Sequence, residues 1–183
     1  MKARTMAGGF AAAAVMTVGV AVGGFGYAAA APGDFSTLPV DPNLITDSLA
    51  YNAAPPVFNP NGQPGVETVY THRDGSRQIT STILVLPDAQ AASAALDGAK
   101  AELAGKVATG NTQPAAVGSG GTMLTGMSPD GSKSVTVLSF AEGNTATTLE
   151  FDGAAEDPAP SDLVLELGHK QDTAIRDGRP PRH

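Results

Sequence analysis

Three histidines are the side chains best suited to general-base or metal chemistry in a chain of 183 residues that has no cysteine. They are His72, His169 and His183, and none has a second histidine or a carboxylate four positions along, the spacing that builds a metal site on a helix. No serine stands in a Gly-x-Ser-x-Gly motif. The sequence therefore predicts solvent-exposed histidines, no catalytic residue, no metal site and no cofactor.

Two carboxylates near the end of a predicted strand are the next candidates. Glu150 and Asp152 are two positions apart, a spacing that places side chains on one face of a strand. Paired carboxylates can perform acid–base catalysis in hydrolases. They can also bind Ca²⁺, although the segment lacks the regular ligand spacing of a calcium loop. An acidic, solvated loop is the simpler interpretation, and a hydrolase built on the pair is the weaker alternative.

The segment Gly118-Ser119-Gly120-Gly121 is the nearest approach to a phosphate-binding loop. It lacks the Lys-Ser/Thr ending of a P-loop and the spacing of a dinucleotide-binding fingerprint. We therefore predict that residues 107–121 are a flexible connection between a helix and a strand.

Three further side chains are candidates for a ligand-binding surface: Met123, Met127 and Gln171. The two methionines share a face of a predicted strand, and methionine adapts to varied ligands, although core packing is the simpler interpretation. Gln171 interrupts the apolar stripe of the last predicted helix, where its amide must find hydrogen-bond partners. We expect it either to pin this helix to a sheet edge or to line a small pocket.

The elements that position these residues follow an export signal. Lys2 and Arg4 precede an uncharged run from Met6 to Tyr27, and the three alanines at 28–30 supply the small residues of a signal peptidase site. We predict cleavage after Ala30, against the alternative of an uncleaved membrane anchor, and no membrane span after that point. The protein is therefore expected to be secreted or to reside in the cell envelope.

The charge balance after cleavage restricts the partners. Without residues 1–30 the chain has 9 Lys and Arg against 18 Asp and Glu, a net charge of −9. This acidity repels phosphate backbones, so we expect no nucleic-acid partner. Because cysteine is absent, acylation on cysteine and disulfides are excluded, and packing alone must stabilise the domain.

Residues 31–65 form a leader rich in proline and asparagine. Its prolines preclude a long helix or a central strand. We predict a short helical turn within Asn43 to Tyr51, anchoring of the leader through Leu44-Ile45 and Val57-Phe58, and a surface linker over residues 59–65.

Regular structure is predicted from Val66 onward, because alternating and helical patterns then succeed one another. The order β-β-α-β-β-β-α predicts an α+β domain over residues 66–178, with one antiparallel sheet of about five strands and both helices packed on it. A disordered tail is expected at residues 179–183. The predicted elements are strands Val66–His72 and Arg77–Leu86, a helix from Asp88 to Gly105, strands Thr122–Met127, Lys133–Ala141 and Thr145–Phe151, and a helix capped by Ser161 and ended by Gly178.

Parts of this layout resemble small exported mycobacterial proteins. The resemblance rests on Ile83 to Ala89 before an Ala-rich helix, on Leu149-Glu150-Phe151, on Asp157 to Pro160, and on Lys170-Gln171-Asp172. This group includes the LpqN-type lipoproteins and the extracellular sensor domains of some mycobacterial Ser/Thr kinases. The resemblance implies a Mog1/PsbP-like fold and a binding or accessory role. The chain departs from the group in having no lipobox cysteine and no cysteine pairs, and the resemblance supplies no catalytic residues.

Two hypotheses for function follow. The first is an exported, non-enzymatic binding or accessory domain, with a cleft between sheet and helices that holds a lipid or peptide ligand or an envelope protein. The second is an interaction module that docks on a partner, or on a second copy, through its Pro-rich leader.

Overall fold

The computed structural model describes residues 35–46 and 49–178. The predicted signal peptide (residues 1–30) and tail (residues 179–183) lie outside the described residues, so the division of the chain into these segments stays a prediction. The described residues form one antiparallel sheet with a helix on each face, which confirms the α+β class. In chain order the elements are a 3-10 turn (Pro42–Leu44), β1 (Tyr51–Ala53), β2 (Val57–Phe58), a second 3-10 turn (Pro60–Gly62), β3 (Gly65–His72), β4 (Arg77–Val85), α1 (Ala89–Lys106), β5 (Ala108–Pro114), β6 (Ser119–Met127), β7 (Lys133–Glu142), β8 (Thr145–Ala154) and α2 (Ser161–Asp177).

The sheet has eight strands, so the prediction of about five is wrong. Its order is β1-β3-β4-β8-β7-β6-β5, and β2 also pairs with β3. The strands missed are β1 and β2 in the leader and β5 in the stretch predicted to be a flexible connection. All three lie at sheet edges with mostly exposed side chains, so they lack the alternation that reveals a half-buried strand.

The predicted hairpin is present as β3 and β4. Tyr70 lies opposite Ile79, and Val66 lies opposite Ile83, so the apolar residues of both strands share one face. Val66, Ile79 and Ile83 are fully buried. The predicted linker over residues 59–65 is instead ordered against this hairpin, because the Val85 N–H donates to the carbonyl of residue 64 at 2.8 Å.

Strand β7 separates the two cores of a three-layer fold. Leu138 and Phe140 point into the main core beneath α2. The side chain of Ala141 points to the opposite face of the sheet, where it packs against Ala92 and Leu96 of α1. This alternation explains why β7 is buried along most of its length, since helices cover both of its faces.

Both helices lie close to their predicted positions. Asp88 caps α1 through the Ala91 N–H (2.8 Å), and Gly178 is the C-cap of α2. Ser161 was predicted to be the N-cap of α2, and this is wrong, because Ser161 is the first helical residue and the capping position is Pro160. The first turn of α2 therefore has no side-chain cap.

Two glycines inside helices allow a matched test of packing. A Cβ on Gly168 of α2 would lie 2.3 Å from Leu138 Cδ2 in the main core, whereas a Cβ on Gly98 of α1 would meet nothing within 4 Å. We expect Gly168→Ala to lower the free energy of unfolding by about 1–3 kcal/mol through overpacking. Gly98→Ala should raise it by about 0.5–1 kcal/mol through helix propensity. Urea unfolding checks both, and effects of the same sign would contradict this packing.

Candidate functional site

A buried amide of α2 binds the backbone of the leader. Gln171 is 1 % exposed, and its Oε1 accepts a hydrogen bond from the Val40 N–H at 2.9 Å. Its Nε2 donates to the Leu38 carbonyl at 2.6 Å. Both partners are backbone groups of the leader. The buried amide of Gln171 therefore has its hydrogen bonds satisfied, and the same bonds fix the path of the leader along α2.

A second amide closes a loop in the leader. Asn43 Nδ2 donates to the Tyr51 carbonyl at 2.9 Å, and Asn43 Oδ1 accepts from the Tyr51 N–H at 2.8 Å. The two bonds join the 3-10 turn to the first residue of β1. They hold Asn43 and Tyr51 together and so fix the 3-10 turn against the start of β1.

An open groove of about 760 Å³ lies between the leader and the outer side of α2. Apolar side chains from both elements form its walls, and charged side chains of both signs from α2 form its rim. Its position depends on the Gln171 contacts, because those bonds place one wall of the groove. The lining residues are Val40, Leu44, Asp162, Leu165, Glu166, His169, Lys170, Thr173, Ala174 and Asp177. We refer to this feature as the leader groove.

Exposed apolar surface is concentrated in the leader. Among the described residues, the large hydrophobic side chains with the greatest exposure are Leu44 (71 %), Leu49 (66 %), Val57 (55 %) and Phe58 (47 %). The predicted anchor Leu44-Ile45 is half right, since Ile45 packs against the core while Leu44 points outward beside the groove. Val57 and Phe58 hold the leader through backbone pairing with β3 instead of through their side chains.

The structure places the three predicted ligand-binding residues in different surroundings. Met123 is 4 % exposed in the main core, and Met127 is half-buried at the end of β6 opposite Ser134. Gln171 contacts the leader as described above. None of the three lines the leader groove. Their assignment to a ligand stays a prediction, and Leu44 and Leu165 are groove residues that the sequence reasoning missed.

His72 takes part in a polar cluster at the β3–β4 turn. Its Nδ1 lies 2.5 Å from Asp74 Oδ1 and 3.4 Å from Ser76 Oγ. A catalytic triad needs the hydroxyl and the carboxylate on opposite ring nitrogens, but here both approach the same one. Hydrogen bonds from Ser76 and His72 hold the pKa of Asp74 well below its usual value. The cluster therefore stabilises a turn and has no geometry for proton relay.

Glu150 and Asp152 share one face of β8, as predicted, on the side of the sheet that bears α1. Each has a lysine nearby: Lys106 Nζ is 3.7 Å from Glu150, and Lys133 Nζ is 4.0 Å from Asp152. Burial raises the pKa of both carboxyls, and the lysines only partly oppose the shift. The pair is therefore a desolvated ion-pair cluster, with one cation to each acid.

These raised pKa values predict the sign of a stability change. A carboxyl whose pKa is higher in the folded state than in the unfolded state destabilises the fold once ionised, so its cost is present at pH 7 and disappears near pH 4. We expect Glu150→Gln to raise the free energy of unfolding at pH 7 by up to about 1 kcal/mol. The gain should vanish at pH 4. Glu156→Gln in an exposed loop is the control, and a loss at pH 7 specific to Glu150 would contradict this assignment.

The glycine-rich segment forms the bulged start of β6. Gly118 (φ 53°) and Gly120 (φ 62°) adopt left-handed conformations, and a Cβ on Gly121 would lie 2.4 Å from the Ala115 carbonyl. The β6–β7 register shifts between Ser119 and residue 122. Conformation and close backbone contact thus account for the glycines, in place of the flexible connection that we predicted from the sequence.

Other site types receive no support from the described residues. Within residues 35–46 and 49–178, no group of three or more His, Asp or Glu side chains is arranged to hold a metal ion. Across the same ranges, no helix combines the length and apolar character needed to cross a bilayer.

Comparison with known proteins gives one structural likeness. No protein-family profile and no curated protein matches the sequence. The fold is similar to the extracellular domain of PknH from Mycobacterium tuberculosis, with a TM-score of 0.55 and 11 % sequence identity over 81 % of this chain and 97 % of that one. At this identity the likeness shows the fold alone. It agrees with the part of the predicted resemblance that concerned mycobacterial kinase extracellular domains, while the LpqN-type and Mog1/PsbP-like parts stay predictions.

Proposed function

We propose that the protein is an exported, non-enzymatic binding domain whose site is the leader groove and whose ligand is a peptide segment with apolar side chains. The observation that carries the proposal is the groove itself, in which Leu44 of the leader and Leu165 of α2 contribute to an apolar trough open to solvent. An exposed apolar patch is a common mark of an interaction site.

The form of the groove favours a peptide over a lipid. An acyl chain in an open trough would leave much of its apolar surface in water, whereas a peptide can direct polar groups outward. The rim supplies both signs of charge for such groups, with Glu166 and Asp177 on one hand and Lys170 on the other. The extracellular location of the domain that shares this fold agrees with export.

Peptide selection tests the proposal. A random peptide library is selected against the full chain, and the affinities of enriched peptides are measured for Leu44→Asp and Leu165→Asp variants. Removing a buried leucine contact costs about 1.5–3 kcal/mol, so we expect losses of about 10-fold to 100-fold. Val57→Asp is the control, since Val57 is also an exposed apolar side chain (55 %, against 71 % for Leu44) but does not line the groove.

Two results would contradict the proposal. One is equal loss of affinity in the groove variants and in the Val57→Asp control. The other is binding of a fluorescent fatty acid in the groove by a protein that enriches no peptide. The non-enzymatic part is tested separately with generic ester, phosphate and peptide substrates. Turnover that a single alanine substitution abolishes would refute it.

A further inference from the structure

The buried contact between α2 and the leader has the form of peptide recognition. Gln171 accepts from the N–H of Val40 and donates to the carbonyl of Leu38, so it pairs with two backbone groups two positions apart. The residue between them is Pro39, which has no N–H to satisfy. We call this pair of hydrogen bonds from Gln171 the clamp, and the segment that it holds the occupant. The clamp requires only the backbone of the occupant and a proline at the middle position. A separate peptide could therefore make the same bonds as residues 38–40 of the chain.

Side-chain contacts restrict the occupant further. Leu38 and Val40 are half-buried and pack against the main core. Leu38 Cδ2 also approaches within 3.7 Å of the position that a Cβ on Gly178 would take, at the C-terminal end of α2. We call the surface of α2 and the main core that receives residues 38–40 the seat. It holds an apolar residue on each side of a proline, and the amide of Gln171 lies between them.

The occupant is able to leave without opening the sheet. Asn43 anchors the leader to Tyr51 just downstream, so residues 35–40 form an arm whose contacts with the rest of the domain include the Gln171 clamp and half-buried side chains. With the predicted cleavage after Ala30, this arm lies next to a free N-terminus. Release of the arm would leave the bonds of Asn43 and the strand pairing in place.

We propose that the seat at Gln171 is a peptide-binding site for segments of the type apolar-Pro-apolar, and that residues 38–40 occupy it in cis. This site stands on its own residues and does not require the leader groove to bind a ligand. The arm competes with free peptides at an effective concentration on the order of millimolar, so micromolar peptide binds only after the arm is weakened.

Fluorescence anisotropy with a labelled peptide of residues 35–45 tests the site on the full chain. We expect a Leu38→Ser, Val40→Ser double variant to bind this peptide at least about 10-fold more tightly than the unaltered protein does. Methylating the nitrogen of Val40 in the peptide removes the donor to Gln171, and should weaken binding on the order of fivefold. The same methyl group should have little effect on binding to a protein that also carries Gln171→Met.

Either of two results would overturn the proposal. One is equal affinity of the peptide for the double variant and for the unaltered protein, and the other is a methyl effect that is the same with and without Gln171. A circular dichroism melt first establishes that the variant is folded, and Leu38→Ala replaces it if it is not. Two observations separate groove binding from seat binding. Leu165→Asp impairs the first, and the effect of the Val40 methyl group, which depends on Gln171, is expected only for the second.

Discussion

Gln171→Met is expected to lower the free energy of unfolding by about 1–3 kcal/mol and to release the leader from α2. Methionine is similar in volume and shape but can replace neither the bond from Val40 nor the bond to Leu38. Each net hydrogen bond contributes about 0.5–1.5 kcal/mol, and half-buried leader side chains lose packing when the segment detaches. Urea unfolding measures the loss.

Lys170→Met is the control for this change. Lys170 is exposed on α2 next to Gln171, so its substitution should alter stability by less than about 0.5 kcal/mol. Equal effects of the two substitutions would show that the buried amide does not hold the leader.

Gly65→Ala is expected to be among the most destabilising single changes in the chain, at about 2–4 kcal/mol. Gly65 has φ 155°, and a Cβ there would lie 2.2 Å from the Ile83 carbonyl oxygen on the neighbouring strand. Because the obstacle is backbone, no side-chain rotation relieves it. The clash would separate β3 from β4 where the leader meets the sheet.

Gly62→Ala separates conformational strain from this clash. Gly62 also has a positive φ (74°), but a Cβ there would meet nothing within 4 Å. We expect a cost of about 1–2 kcal/mol from the left-handed conformation alone. Thermal or urea unfolding of both variants gives the difference, and a Gly62→Ala cost as large as that of Gly65→Ala would contradict the close approach at Ile83.

The central part of the fold was predictable because its residues alternate between buried and exposed positions. Val66 and Tyr70 of β3 show the period of two that marks a half-buried strand, and both are buried as expected. Strand β5 has no such signal, since its side chains are almost all exposed and only backbone pairing with β6 makes it a strand. A pairing of that kind depends on a partner elsewhere in the chain, which local pattern does not reveal.

The candidate site was predictable only in part. The position of Gln171 on an apolar stripe indicates that its amide needs partners, and the structure supplies them. Those partners were not predictable, because they are backbone groups of residues 131 and 133 positions away, and every residue has such groups. The outward orientation of Leu44, which creates the groove, likewise follows from the path of the leader and not from its own residue type.

The surroundings of Glu150 and Asp152 were likewise predictable only in part. A spacing of two positions placed Glu150 and Asp152 correctly on one face of a strand. The lysines that accompany them come from the end of α1 and the start of β7. Their approach depends on the packing of the helix and on strand register. The sequence therefore favoured an acidic, solvated loop, with a catalytic pair as the weaker alternative, where the structure has two partly buried ion pairs on a strand.

The central claim is that residues 35–46 of the leader are a folded segment held on α2 by Gln171, and hydrogen exchange of the full chain measures this most directly. The account predicts that the Val40 amide exchanges more slowly than in an unstructured chain, because it donates to Gln171. In the Gln171→Met variant this protection should disappear, while the amides of the central strands β4, β7 and β8 stay protected. Exchange of Val40 at the rate of an unstructured chain in the unaltered protein would contradict the account.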